Sequence, residues 1–354
     1  MIKLLIFAAV VLLTVIGVGI LFGISRNAPA YSGPISDHFD GTVFRNPEPV
    51  SHASIWKGLR YFFTTSPGPW DVWRENPPAS EIRERSRELR VTFINHATTL
   101  LQIDSLNILT DPTYSLRASP LAWIGPTRKH APGIPLEELP PIDLVILSHN
   151  HYDHTDLPTL DSLATRYDPQ FIVGLGCGDL LKEIGITRIQ ELDWGASAQF
   201  GSISITGEQC RHFSGRGWSD RQKTLWMSYV IAGASSTVYF AGDTGYGSQF
   251  TSAGKRYGGF DLAMLPIGAY NPRWFMQTLH LNPEEAVMAH KELRARNSMG
   301  IHFGTFKLSE ESQDDPIKDL ATVKRERGID EADFRTLYPG EAWDIATTQP
   351  GDNQ

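Results

Sequence analysis

Residues 148–156 read Ser148-His149-Asn150-His151-Tyr152-Asp153-His154-Thr155-Asp156, directly after the apolar run Ile142-Asp143-Leu144-Val145-Ile146-Leu147. Three imidazoles and a carboxylate this dense are costly to bring together unless a cation holds them. Imidazole nitrogen and carboxylate oxygen suit zinc, iron or manganese, and no thiolate lies nearby in the sequence to favour a purely structural zinc. In extended backbone, residues two apart face the same way, so His149 and His151 can grip one ion together. Thr155, Asp156 and Pro158 read as a helix start, where the chain turns. Asp153 and His154 therefore face a different point, and one loop can feed two adjacent ion positions. The bland alternative is a surface loop rich in histidine. The length of the His-x-His-x-Asp-His pattern and its place at a strand end argue against it.

That pattern resembles the metal-binding motif of the metallo-β-lactamase superfamily, whose fold is two stacked β-sheets flanked by helices, an αββα sandwich. The family needs three further ligands downstream, and matching residues occur in order. They are His212 in Cys210-Arg211-His212-Phe213-Ser214-Gly215, Asp243 in Ala241-Gly242-Asp243-Thr244-Gly245, and His302 in Gly300-Ile301-His302-Phe303-Gly304. Each follows a β-like run and is followed by glycine within a few residues. Four further strings resemble one branch of the superfamily, the one containing N-acyl-phosphatidylethanolamine phospholipase D and its bacterial relatives. These are Pro266-Ile267-Gly268-Ala269-Tyr270-Asn271-Pro272-Arg273-Trp274-Phe275, His280-Leu281-Asn282-Pro283-Glu284-Glu285-Ala286, Asn95-His96-Ala97-Thr98 and Asp111-Pro112. The similarity runs over roughly residues 36–345.

The resemblance implies two zinc ions, with other divalent transition metals as alternatives. His149, His151 and His212 would hold the first, Asp153, His154 and His302 the second, and Asp243 would bridge them. A hydroxide shared by the ions would be the nucleophile, with Asp153, Asp243 and His280 closest to the chemistry. No Gly-x-Ser-x-Gly elbow supplies a protein nucleophile instead. The expected activity is a phosphodiesterase of phospholipase D type acting on N-acyl-phosphatidylethanolamine-like lipids. Hydrolysis of a lactone, amide or ester at the same site is the first alternative, and a membrane-tethered binding protein with a dead site is an alternative of another class.

Arg216 and Arg273 are candidates to meet a phosphate, since guanidinium binds it bidentately. Trp218, Tyr270 and Trp274 are candidates to wall an apolar groove, although core packing explains aromatic residues equally well. His96 either orients a ligand or satisfies a turn. His38, His52, His130 and His290 are read as non-ligands.

Composition narrows the partners. A formal net charge of −8 over 354 residues argues against nucleic acid, which is bound by clustered lysine and arginine. The partner expected is a phospholipid or another small molecule, and a homodimer stays open. The only cysteines, Cys177 and Cys210, look like small buried residues, with one disulfide as the other option.

Leu4 to Ile24 is uncharged and apolar, between Lys3 and Arg26. It is long enough to cross a bilayer as a helix, and longer than the apolar core of about 7–15 residues usual in a cleaved signal peptide. An uncleaved N-terminal anchor (1–25) is expected, with the catalytic domain outside the cytoplasm, in the periplasm of a bacterium. Cleavage near Ala28-Pro29-Ala30 is the minority reading. Residues 26–88 form an aromatic-rich extension whose Trp56, Tyr61, Phe62, Phe63, Trp70 and Trp73 are expected to pack on the domain surface. The hydrolase domain spans 89–345, and 346–354 is a frayed tail. Within the domain, strands are expected at Arg90–Ile94, Thr99–Ile103, Asn107–Thr110, Ile142–Leu147, Phe171–Leu175, Ser202–Thr206, Leu225–Ala232, Thr237–Ala241, Asp261–Pro266 and Met299–His302. Helices are expected at Leu157–Arg166, Gly178–Ile184 and Glu284–Ala295.

Overall fold

The computed structural model of the protein describes residues 11, 14, 17, 19, 21–48, 50 and 55–346. Its strands are β1 (Arg90–Asn95), β2 (Thr98–Ile103), β3 (Leu106–Thr110), β4 (Leu144–Ile146), β5 (Gln170–Gly174), β6 (Ile189–Leu192), β7 (Ser197–Phe200), β8 (Ile203–Glu208), β9 (Ser228–Ala232), β10 (Thr237–Phe240), β11 (Phe260–Pro266), β12 (Ala295–Ile301), β13 (Phe334–Arg335) and β14 (Ala342–Asp344). Its helices are α1 (Ile55–Thr64), α2 (Leu157–Tyr167), α3 (Cys177–Lys182), α4 (Gln249–Tyr257), α5 (Arg273–Met276), α6 (Pro283–Glu292) and α7 (Asp315–Arg327).

The strands form two seven-stranded sheets, ordered β14-β1-β2-β3-β4-β5-β6 and β13-β12-β11-β10-β9-β8-β7. Each sheet begins as an antiparallel meander and ends as parallel strands. In the first, β14, β1, β2 and β3 are antiparallel and β4, β5 and β6 continue in parallel. In the second, β7 to β10 are antiparallel and β11 to β13 continue in parallel. Parallel pairing needs crossover connections, and here α-helices supply them except between β3 and β4, which a long loop joins. The first half of the chain lacks a strand to begin its meander, and β14 fills that place, pairing Arg90 with Asp344.

Strand β4 shows why the short apolar run folds as it does. Leu144 and Ile146 join the large core that includes Val230, Tyr239 and Met264 of the second sheet. Val145 and Leu147 join a smaller cluster with Leu160 and Leu163 of α2 and Leu180 and Leu181 of α3. A strand buried on both faces reads as a continuous apolar run rather than an alternation. The outcome is a mixed α/β fold of two sheets, the architecture that the resemblance implies. One inter-sheet tie lies just before the histidine loop, where the Tyr229 hydroxyl donates to the Leu147 carbonyl at 2.8 Å.

Some expectations need correction. Strand β9 starts at Ser228, because Leu225 and Met227 instead form isolated backbone bonds with Leu175 and Ser148. Strands β6, β7, β13 and β14 and helices α1, α4, α5 and α7 lie outside the expected elements. In the extension, Phe39 and Phe44 are fully buried core residues. Tyr61 stacks on Phe275, and the Trp70 indole donates to the Glu311 carbonyl at 3.0 Å. Trp56, Phe63 and Trp73 remain exposed, so surface packing accounts for only part of the aromatic set. The Phe62 side chain and His52 lie outside the described residues, as does most of the Leu4–Ile24 run. Among the described residues, no helix is long and apolar enough to cross a membrane; residues 21–25 are helical.

Removing the Tyr229 hydroxyl leaves a buried carbonyl without its partner. Tyr229→Phe is expected to lower unfolding stability by about 1–2 kcal/mol. Urea titration should show a lower midpoint at unchanged slope.

Candidate metal centre

Polar residues at five strand ends converge on one point. Asp111 follows β3, the His149–His154 loop follows β4, His212 follows β8, Asp243 follows β10, and His302 follows β12. These residues are buried or nearly so. Their donor atoms fall into overlapping groups: His149, His151 and His212; His96, Asp153, His154 and His302; His149, His154 and Asp243; and His212, Asp243 and His280.

The first group is defined by its outer partners. His149 Nδ1 lies 2.9 Å from Ser148 Oγ, and Ser148 Oγ donates to Asp111 Oδ2 at 2.6 Å. Nδ1 is therefore the protonated nitrogen, and His149 Nε2 keeps its lone pair. His212 Nδ1 faces the Leu279 carbonyl at 3.1 Å, which frees His212 Nε2 in the same way. Both free nitrogens point at His151 Nδ1, from 2.7 Å and 3.3 Å. Three lone pairs aimed at one point repel one another unless a cation or proton sits among them. Burial and the neighbouring imidazoles hold His149 and His212 well below the usual histidine range, and burial pushes His151 down to about 4. Neutral imidazole is the metal-binding form.

The second group balances charge differently. His154 Nε2 lies 3.3 Å from Asp243 and 3.5 Å from Asp153. His302 Nε2 lies 3.2 Å from Asp243 Oδ1 and 3.5 Å from Asp153. Donors about 2 Å from a shared tetrahedral ion sit roughly 3.3 Å apart, so the spacing fits. His154 Nε2, His302 Nε2, Asp243 Oδ1 and His280 Nδ1 are buried with no hydrogen-bond partner. Burial works against charge on His302, but Asp243 and Asp153 outweigh it and hold this imidazole up at about 9. Burial likewise opposes charge on His154, yet the carboxylates hold it well above the ordinary value. Without a metal, protons on these two rings do the work of a cation. The donor set fits two divalent ions, with His149, His151 and His212 placed to hold one, and Asp153, His154 and His302 the other. Asp243 lies between them: one oxygen faces His302, the other faces His154 and, at 3.7 Å, His212.

His280 reaches the same place, with Nδ1 3.8 Å from Asp243 Oδ2. Its position follows from the helix start behind it. The Asn282 side chain accepts from Glu285 N at 2.8 Å, and Glu285 accepts from Asn282 N at 3.1 Å, with Pro283 in the first turn. This reciprocal cap fixes the chain entry into α6.

The proposed substrate contacts fare less well. Arg273 Nη2 bonds both carboxylate oxygens of Glu285, at 2.9 and 2.8 Å, so bidentate phosphate binding would first have to break that pair. Arg216 Nη1 donates to the Asn150 and Thr155 carbonyls at 2.8 Å each, and the guanidinium covers the Tyr152 ring. It braces the histidine loop. Tyr270 is buried, and its hydroxyl bonds Asp319 at 2.6 Å, so it does not wall a groove. Trp274 lies under Arg60, and Trp218 is exposed against residue 23.

His96 does both things allowed for it. Its φ of +47° makes the β1–β2 turn, and its Nε2 lies 3.1 Å from Asp153 Oδ2. Two residues with a role here were overlooked. Asp111 bonds Ser148 N, Ser148 Oγ and His154 Nδ1 at 2.6–2.7 Å. Its position directly after a strand, like that of the other site residues, was the available signal. Asn46, in the extension, bonds the His212 carbonyl and amide, and no local signal marks it. His130 and His290 bond Thr305 and Ser298, and His38 bonds Asp193, all away from the donor cluster. Cys177 and Cys210 are free and buried.

A family model described as the β-lactamase superfamily domain matches residues 106–303. The chain belongs to the metallo-β-lactamase superfamily. An uncharacterised protein of Mycobacterium tuberculosis is 43% identical over 243 residues, 67% of this chain and 64% of the relative. The chain thus spans a little under two thirds of that relative's length. An N-acyl-phosphatidylethanolamine-hydrolyzing phospholipase D of Caenorhabditis elegans is 38% identical over 274 residues, 73% of this chain and 76% of the relative. Among solved structures, a metallo-hydrolase of the archaeon Ignicoccus hospitalis shares the fold, with a TM-score of 0.55 at 22% identity over 74% of this chain and 98% of its own.

Asp111→Asn keeps every donor to the ions but weakens the grip on His154 and Ser148. Chelator competition should show metal affinity reduced about 10–100-fold, with circular dichroism unchanged. Metal uptake near neutral pH should release protons, because His154 and His302 are held protonated in the metal-free chain. Calorimetric heats of uptake should therefore vary with the ionisation enthalpy of the buffer, and affinity should rise with pH through about 9, where His302 deprotonates.

Proposed function

We propose that this protein is a dinuclear zinc phosphodiesterase of phospholipase D type that acts on N-acyl-phosphatidylethanolamine-like lipids at a membrane to which Leu4–Ile24 anchors it, with the hydrolase domain on the periplasmic side. What carries this reading is a donor cluster divided into two groups around one carboxylate, Asp243, in a chain 38% identical to a phospholipase D that hydrolyses such lipids.

Two divalent ions supply Lewis-acid stabilisation of charge on a phosphodiester and lower the pKa of water. The chain's own residues do the rest. Asp243, with one oxygen facing His302 and the other facing His154 and His212, would help to hold both ions and offset their mutual repulsion. His280 is kept neutral, pushed down to about 4 mainly by burial, and its Nδ1 has no hydrogen-bond partner among the described residues. It is suited to hydrogen-bond a substrate oxygen without adding charge. Asp111 and Ser148 keep His154 and His149 in the tautomers that face the cluster. In the overall reaction, water adds to phosphorus, the bond from phosphorus to the N-acylethanolamine oxygen breaks, and phosphatidic acid is released.

The test is metal analysis joined to a lipid assay. Purified wild-type protein should carry two zinc ions per chain and release phosphatidic acid from vesicles containing N-acyl-phosphatidylethanolamine. His151→Ala should lose one ion and more than about 100-fold in turnover, beyond the effect usual for an outer partner. A zinc-replete enzyme that opens lactones readily and leaves every phospholipid intact would overturn the lipid reading and leave the metallohydrolase.

A further inference from the structure

Between β3 and β4 the chain makes a loop that displays apolar side chains to water. Trp123 is 72% exposed and Ile124 52%, and Leu116 at the loop's base is also exposed. An isolated exposed apolar residue needs no explanation, but a cluster of them does. The loop that carries them is rigidly built. Arg117 and Thr127 form a β-bridge, Ala118 N bonds the Pro126 carbonyl, and Arg128 N bonds the Leu116 carbonyl. The Arg117 side chain folds inward, with Nε on the Ala122 carbonyl at 3.1 Å and Nη1 on the Gly125 carbonyl at 2.6 Å. Gly125 has φ +101°, and a Cβ there would come within 2.7 Å of Ser119. Polar groups inside the loop are thus satisfied, and its apolar side chains are left at the tip.

The loop has neighbours of the same character. A cavity of about 480 Å³ is bordered by Leu116 and Arg117 on one side, by Ser25, Arg26 and Asn27 on another, and by Tyr152 and Arg216 beside the histidine loop. Trp218, 69% exposed, packs so closely on residue 23 that a Cβ on Gly23 would meet the indole at 1.9 Å. Asn27 and Ala28 are tied to Ser219 and Asp220. The apolar Leu4–Ile24 run, most of it outside the described residues, therefore ends against this rim, with Leu21 and Ile24 exposed there. Two segments far apart in sequence, each carrying exposed apolar side chains, thus border one cavity beside Tyr152, which Arg26 also lines.

We infer that the 116–124 loop is a second membrane contact, its Trp123 and Ile124 entering the interfacial layer of a bilayer whose anionic headgroups meet Arg26. An exposed apolar tip with a cationic side chain nearby is the chemistry that binds such a surface. The bilayer is favoured over another protein because the apolar N-terminal run leads to the same rim. Seated this way, the loop brings the cavity beside Tyr152 of the histidine loop against the lipid surface. The inference rests on the membrane reading above, but its readout needs no substrate.

The full chain carrying Ile124→Cys, labelled with an environment-sensitive dye, is placed in vesicles of phosphatidylcholine and phosphatidylglycerol. Cys177 and Cys210 are buried and should not react. Glu326→Cys, on the exposed surface of α7, serves as the water reference. The Ile124 label should shift to the blue and lose emission to brominated acyl chains, while the Glu326 label does neither. Trp123→Ser with Ile124→Ser should lower turnover of a vesicle substrate roughly five- to tenfold and leave turnover of a soluble short-chain substrate and the metal content unchanged. An Ile124 label that stays in water on vesicle-bound protein overturns the inference. So does a label already shielded without lipid in a concentration-dependent way, which would assign the loop to contact with a second copy.

Discussion

The Asp111 carboxylate is the contact on which the rest of this site depends. It is fully buried, and a buried charge is stable only when its hydrogen bonds are met. Here they are met by the Ser148 amide, the Ser148 hydroxyl and the His154 ring. Each bond has a consequence beyond itself. The amide fixes where the chain leaves β4, the hydroxyl orients His149 in one donor group, and the imidazole presents its other nitrogen to the second group. One side chain at the end of β3 thus aligns both halves of the centre. Asp111 touches neither half of the donor cluster except through His154.

Around that contact the two sheets contribute in parallel. Both place donors at the ends of strands, where the backbone leaves the hydrogen-bonded ladder and side chains can turn inward. The first sheet supplies the His149–His154 loop, and the second supplies His212, Asp243 and His302. His96 joins them: its carbonyl accepts from His302 N at 2.7 Å, and its ring meets Asp153. The centre is held by the sandwich as a whole, and sliding one sheet against the other would separate the donor groups.

The sequence made the donors legible because their chemistry is conspicuous. A clustered His-x-His-x-Asp-His has few uses apart from a metal, and the three later ligands stand beside glycines after β-like runs. The two-sheet fold was legible through the family resemblance that those motifs carry, and individual strands through apolar runs such as Leu144–Ile146. Nothing in the residue type shows that the Arg273 charge is already paired, because its partner, Glu285, is set by a helix cap. For Tyr270 the sequence leaves groove and core open, because its partner, Asp319, lies on another element. Asn46 was missed because its contact spans 166 residues. Short edge strands such as β13 and β14 carry too few residues for any period to appear. In each case the missing information was tertiary.

Strand β14 has a consequence for how the molecule is made. Arg90 and Asp344 are joined both by strand pairing and by a 2.6 Å ion pair, across 254 residues of chain. During synthesis β1 emerges early and keeps an open edge until residues 342–344 follow. An open edge is a template for pairing with other chains, and contacts this distant in sequence form late. The first sheet therefore waits on the end of the domain, and the nascent chain is most exposed to mispairing while its donor cluster has already been translated.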